Sequence, residues 1–286
     1  MDGFPALVSD PWLNGRLTTL HACSDLWACG VRVDSAQAIV TLPVLEAAEQ
    51  QELLVQTLCG VRSVLEEQQA QLIGGHTLES RSEPPHCPSL GVQLSLCVNG
   101  RSAAPWSKGG IAHGDVLLLS RPLGTGVLFA AAMAGACQPE ALDTVLQHMS
   151  RSQHRLLDQL EPHRQAIHAC TDVTGFGLLG HLGEMLASSS PLRITLWTNR
   201  IPAYPEAMDR LAQGYASSLA PANRRSWQWL DGPIQLDDSP SQALLELLVD
   251  PQTCGPLLLA CPETTAQTLT AEGPWIPIGN ATADHG

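Results

Sequence analysis

Apolar positions along this chain recur at two periods, and the switches between them mark out its elements. Met1–Val8 reads as a strand. Asp10-Pro11 then offers a helix start, since proline is accepted in a first helical turn. Leu13, Leu17, Leu20, Ser24, Leu26 and Trp27 fall at helical spacing up to Cys29, where Gly30 ends the run. Residues 36–42 read as a strand stopped by Pro43, and residues 46–69 as a long helix with Leu53, Leu54, Leu58, Val61 and Leu65 on its apolar side. Leu72-Ile73 runs into Gly74-Gly75-His76-Thr77, which places two glycines at a strand end. A polar, proline-rich loop covers 81–88, and residues 90–98 alternate as a strand closing on the turn pair Asn99-Gly100. The pattern so far is strand–helix–strand–helix–strand–strand, of α/β or α+β type.

After a linker over 101–114, a strand at 115–119 turns through Gly124 and Gly126 into helices over 127–135 and 140–160. An apolar run at 166–170 leads into Thr171-Asp172-Val173-Thr174-Gly175-Phe176-Gly177-Leu178-Leu179-Gly180-His181, read as strand, acidic turn and helix. A strand at 192–197 and a short helix at 202–211 precede a loose tract, 213–240, which carries Asn223-Arg224-Arg225. Then come a helix at 242–248, the turn Asp250-Pro251-Gln252-Thr253-Cys254-Gly255-Pro256 and a buried strand at 257–260. A last strand near 275–278 stops at Gly279, and a polar tail covers 281–286. The predicted division is a first domain over 1–108 and a second over 109–286.

Composition narrows the chemistry. The net charge is −13 with no cluster of basic residues, which argues against nucleic acid. Lys108 is the only lysine, so an anionic ligand has to be met by a metal, by backbone N–H groups or by a few arginines. Nine cysteines lie scattered without a C-x-x-C pair, and most sit in apolar runs. No signal peptide or membrane-length apolar run is read, and a reducing cytoplasm fits these features.

The acidic turn is the richest feature. Asp172 falls at a strand end, Thr174 can cap the following helix, and Gly175 and Gly177 leave room for a ligand near the backbone. A helix N-terminus attracts anions, and a carboxylate beside it can hold a metal carrying phosphates. Helix capping alone is the competing reading for Asp172 and Thr174. Asp25, inside the first helix, reads either as a ligand or as a solvent-facing charge. Walker, zincin and nucleophile-elbow motifs are absent from the sequence.

Taken in order, Asp10-Pro11, Gly15-Arg16, His21-Ala22, Ser24-Asp25-Leu26, Gly74-Gly75-His76-Thr77, Arg121-Pro122-Leu123-Gly124-Thr125-Gly126, the stretch from Thr171 to Met185 and Asp250-Pro251-Gln252-Thr253 resemble the selenophosphate synthetases (selenide, water dikinases). These belong to the superfamily of enzymes like aminoimidazole ribonucleotide synthetase. The resemblance implies an α/β N-terminal domain whose sheet pairs with a twin subunit's, giving a homodimer, and an α+β C-terminal domain. It implies ATP and selenide as substrates, Mg2+ as cofactor, and selenophosphate, AMP and phosphate as products. Carried over residue by residue, Asp25 and Asp172 hold magnesium, and Asp2, Asp25, Gly75, His76 and Thr77 line the ATP site.

The family also has a reactive cysteine or selenocysteine, a lysine and a glycine-rich loop in an N-terminal segment. Nothing here matches them: Cys23, Cys29 and Lys108 stand elsewhere, so no catalytic residue is carried over and the N-terminal domain reads as truncated, completed by a missing segment or a fused domain. The glycine pair expected after Asp250-Pro251-Gln252-Thr253 reads Gly255-Pro256. A second reading, of a different class, is a catalytically silent module or subunit that binds nucleotide without turning it over. A third is a related ATP-dependent enzyme acting on another substrate.

Overall fold

The computed structural model describes residues 1–80, 91–189 and 191–283. The polar loop read over 81–88 and the end of the tail lie outside the described residues. The chain forms two compact units, Met1–Ala103 with Ser150–His154, and Ala104–Met149 with Arg155–Gly286.

The first unit contains β1 (Asp2–Pro5), α1 (Pro11–Ala28), β2 (Ser35–Leu42), α2 (Ala47–Glu67), β3 (Gln71–Glu79) and β4 (Gln93–Asn99). Asp10 starts α1 as its pattern predicts, and the Asp10 carboxylate accepts the Leu13 N–H at 3.0 Å. The sheet order is β1-β4-β2-β3, antiparallel except for the parallel pair β2/β3. Along β2, Ala36, Ala38, Val40 and Leu42 are buried while Gln37 and Ile39 are exposed. Such alternation means one covered face and one open face. The core holds Leu17, Trp27, Val61, Val64 and Leu65 from the two helices.

Gly74 and Gly75 correct the sequence reading, because they lie inside β3 rather than at its end. Ile73 is an extra residue in the β2/β3 ladder, where the register shifts between Ala36 and Gln37. At Gly75 the backbones come so close that a Cβ would lie 1.9 Å from the Ala38 carbonyl oxygen.

The second unit contains β5 (Asp115–Leu119), α3 (Thr125–Met133), α4 (Pro139–Met149), α5 (Leu156–Leu160), β6 (Ala169–Asp172), α6 (Gly177–Ala187) and β7 (Leu192–Leu196). It continues with α7 (Ala207–Ala212), α8 (Ala220–Asn223), β8 (Ile234–Leu236), α9 (Gln242–Val249), β9 (Leu257–Pro262), α10 (Glu263–Glu272) and β10 (Ile276–Ala283). Its sheet runs β6-β9-β5-β10-β7-β8, antiparallel except for β7/β8. Every residue of β5 and β6 is buried, as is β9 up to Cys261, so the centre of this sheet is covered on both faces.

Four expectations fail here for identifiable reasons. The helix read over 140–160 stops at Met149, because Ser150–His154 belongs to the first unit, where Arg16 Nε donates to the Ser150 carbonyl at 2.8 Å. The loose tract 213–240 holds α8, a 3-10 run from Arg224 to Asp231, and β8. Trp227 anchors that run by donating to the Leu245 carbonyl at 3.1 Å. The last strand passes Gly279 with a bulge and continues to Ala283, into the stretch read as tail. The sequence reading also missed α10, whose polar, threonine-rich face gives little periodic signal. Among the described residues no helix is long and apolar enough to cross a membrane.

Candidate functional site

Strand β6 delivers Asp172 to its last position, where it is 7% exposed. The residues after it do not cap α6 in the expected way. The N-cap is Phe176 and makes no side-chain cap bond. Thr174 turns back instead: its N–H donates to His181 Nε2 at 3.1 Å, and its hydroxyl lies 3.2 Å from the same nitrogen. The capping role predicted for Thr174 is therefore replaced by a hold on an imidazole one turn into the helix.

Because Nε2 accepts, a neutral His181 carries its proton on Nδ1. Burial pushes this imidazole below its ordinary range and outweighs the opposing pull of Asp172 and Glu184, with Lys108 adding to the depression. Glu184 Oε2 lies 3.5 Å from His181 Nδ1 and is itself paired with Lys108. The only lysine of the chain is thus engaged beside this corner.

Backbone carbonyls of the corner are also taken up. The Thr174 carbonyl accepts the N–H groups of Gln252 at 2.9 Å and Gly177 at 3.1 Å, while the Val173 N–H donates to the Pro256 carbonyl at 2.8 Å. The Gly175 carbonyl accepts from Asn223 Nδ2 at 2.8 Å. The two glycines that looked alike in sequence have different reasons. Gly177 has φ +70° and packs on α9, where a Cβ would lie 2.7 Å from the Val249 carbonyl carbon. Gly175 has nothing within 4 Å of its Cβ position. Packing requires Gly177, whereas Gly175 leaves open space beside Asp172.

Asp250-Pro251-Gln252-Thr253 acts as a brace. Gln252 Oε1 accepts the N–H groups of Gly124 at 3.0 Å and Thr125 at 3.2 Å, and Asp250 Oδ2 accepts the Gly126 N–H at 3.0 Å. These bonds satisfy amide groups at the start of α3 that lack partners within their own helix. Burial pushes Asp250 up to about 7, against the stabilising N–H groups of Val127 and Gly126 and the Gln252 amide.

In the first unit, Asp2 lies on β1 with Oδ2 3.0 Å from His21 Nε2, and its Oδ1 accepts the Gly3 N–H at 2.7 Å. Burial opposes its charge, but His21 and the Gly3 N–H win and hold the carboxyl below its ordinary value. Asp25 stands one turn beyond His21 on α1 and is exposed. Gly75 and His76 line a shallow cavity of about 360 Å³ on the open sheet face with Met1, Gln37, Ile39 and Cys97. Asp2, Asp25 and Thr77 are not part of that lining. Thr77 pairs with the buried Val40 in the parallel ladder and so belongs to the opposite face from His76.

Among the described residues no group of three or more His, Cys, Asp or Glu could hold a metal. Magnesium commonly uses one or two carboxylates and takes the rest of its shell from water and phosphate. Sequence reasoning missed Asn223 and the bracing by Gln252, since both act on partners remote along the chain.

Comparison with known proteins agrees with this architecture. The AIR synthase related protein N-terminal domain matches residues 1–97, and the AIR synthase related protein C-terminal domain matches residues 112–286. A selenide, water dikinase of Desulfitobacterium hafniense (strain Y51) is 34% identical over 93% of this chain and 73% of its own length. Thiamine-monophosphate kinase from Stenotrophomonas maltophilia K279a has a similar fold, with TM-score 0.70 and 18% identity over 99% of this chain and 79% of that one. The hydrogenase maturation protein HypE in complex with ATP gives TM-score 0.66 and 18% identity over 94% of this chain and 71% of that one. With both domains matched and the identity sustained along nearly the whole sequence, this chain belongs to the AIR synthase related family and, within it, to the selenide, water dikinases.

Proposed function

We propose that this protein makes selenophosphate from ATP, selenide and water, releasing AMP and phosphate. The observation that carries the proposal is the Asp172 corner: an acid at a strand end, braced by bonds from three other segments, beside a glycine with open space over it. Asp25 and Asp172 are the carboxylates proposed to hold magnesium on the nucleotide phosphates. Bound magnesium would neutralise phosphate charge where the chain offers a single lysine. Gly75 and His76 line the cavity on the open sheet face, where His76 offers a ring nitrogen. These two residues are proposed to receive the nucleotide from that face, with Asp2, Asp25 and Thr77 meeting it from outside that cavity. The apolar residues on that face, Ile39 among them, support pairing with a second copy of the chain. A cytoplasmic location, read from cysteine usage, belongs to the same proposal.

Phosphorus NMR of the protein with ATP, magnesium and selenide tests the activity. Selenophosphate and AMP are the expected products, and their absence with intact ATP would overturn it. The engagement of Lys108 with Glu184 favours the silent binding module as the second reading. That reading predicts tight nucleotide binding with no product in the same experiment. Consumption of ATP that does not depend on selenide would point to a different substrate.

A further inference from the structure

Asn223 lies in the tract that sequence patterning leaves without structure. It ends α8 and is 4% exposed. Its side-chain amide donates two hydrogen bonds: to the Gly175 carbonyl at 2.8 Å and to the Val249 carbonyl at 3.1 Å. The first is in the corner that follows Asp172, and the second is at the C-terminal end of α9, just before Asp250. One NH2 group thus ties the glycine corner to the segment that braces α3. The next residue secures the clamp, since Arg224 Nε donates to both oxygens of Glu246 on α9, at 3.0 and 3.1 Å.

We propose that Asn223 is a positioning residue, whose amide fixes the Gly175 carbonyl inward and so keeps the corner beside Asp172 in the shape that receives metal-held phosphate. Gly175 has no side chain and no neighbour at its Cβ position, so packing alone does not hold this peptide. Its carbonyl is held by a side chain from another element, and the Thr174 carbonyl next to it by the Gln252 and Gly177 N–H groups. With both carbonyls directed into the protein, a rotation of the corner would require breaking the Asn223 bond. Buried polar groups held at both ends in this way set a shape more than they add stability. The chemistry required at position 223 is also specific. Both partners are carbonyl oxygens, so the residue has to donate twice, which asparagine does and the isosteric aspartate cannot.

This inference rests on the proposed function for its ligand, and the test separates the two. Asn223→Asp is made in the full chain, with Asn223→Ser as a smaller, uncharged variant should the first fail to fold. Hydrogen exchange without ligand reads the clamp by itself. Amides of residues 173–177 are expected to exchange at least about tenfold faster, as loss of one or two hydrogen bonds allows, with β5 and β9 unchanged. Calorimetry with ATP, with and without magnesium, reads the consequence: the magnesium-dependent affinity falls about tenfold and the magnesium-free affinity stays. Unchanged exchange at 173–177, or an equal rise throughout the second unit, would overturn the positioning role. So would an accelerated corner with full magnesium-dependent affinity. If the unaltered protein shows no magnesium-dependent binding, the functional reading falls, and the positioning role toward phosphate falls with it; the exchange result then shows only whether Asn223 holds the corner.

Discussion

The two sheets of this protein end in opposite conditions. In the first unit, β2 alternates between buried and exposed residues, and nearly all of β3 is exposed, Ile73 and Leu78 included. In the second, β5, β6 and most of β9 have no exposed residue. The covered sheet carries its acid on a corner fixed by His181, Gln252, Pro256 and Asn223. The half-open sheet carries its candidate ligand residues on a surface, with Gly75 and His76 in a shallow cavity. The lesson concerns where rigidity is located. Shape is built into the second unit by buried bonds, whereas the first unit leaves a face for something else to complete.

The strongest way to break that contrast is at Gly177. Gly177→Ala forces a side chain into a left-handed conformation against Val249 and should cost roughly 2–3 kcal/mol. Denaturant unfolding checks it. Gly175→Ala, two residues away, should leave that midpoint unchanged yet weaken magnesium-dependent ATP binding. Equal destabilisation by both would show that the open space at Gly175 is not a ligand approach.

Asp250 sharpens the comparison through pH. Its folded pKa of about 7 lies above the ordinary aspartate value of 3.8. Between these values the folded protein holds a proton that the unfolded chain has released, so the contribution of this group to stability is full below about pH 4 and is lost as pH rises through 7. Asp250→Asn keeps an oxygen for the Gly126 N–H and removes this decline. The variant should gain on the order of 2 kcal/mol relative to wild type between pH 5 and pH 8. Thermal melts across that range test the sign, and parallel curves for the two proteins would contradict it.

The smallest effect belongs to the open face. Ile39 is 41% exposed, so Ile39→Ser should change the stability of the isolated chain by no more than about 0.5 kcal/mol. Sedimentation should nonetheless show weaker self-association. An unchanged association constant would remove Ile39 from any paired surface.

What could be read in advance followed local physics. Asp10-Pro11 and the helical spacing of Leu13, Leu17 and Leu20 determine α1 within its own residues, and the structure shows it. An apolar run and a glycine turn flank Asp172 and place it at a strand end, which is where β6 stops. Most of the departures come from partners that the local pattern does not contain. Thr174 has the composition of a cap, but His181 offered its hydroxyl and N–H a better arrangement. Gly175 and Gly177 are indistinguishable until Val249 closes on one of them. Asn223 looked like a loop residue because both of its carbonyl partners lie far along the chain. Gly279 has the composition of a strand end, yet β7 and β10 pair beyond it up to Ala283.

The central claim is that the Asp172 corner receives phosphate through magnesium, and calorimetric titration of ATP into wild type and Asp172→Asn, each with and without magnesium, tests it most directly. The account predicts magnesium-enhanced binding to wild type, loss of that enhancement in the variant, and little change in melting temperature. Identical magnesium-dependent affinities, with only thermal stability reduced, would contradict it and leave Asp172 as part of the brace.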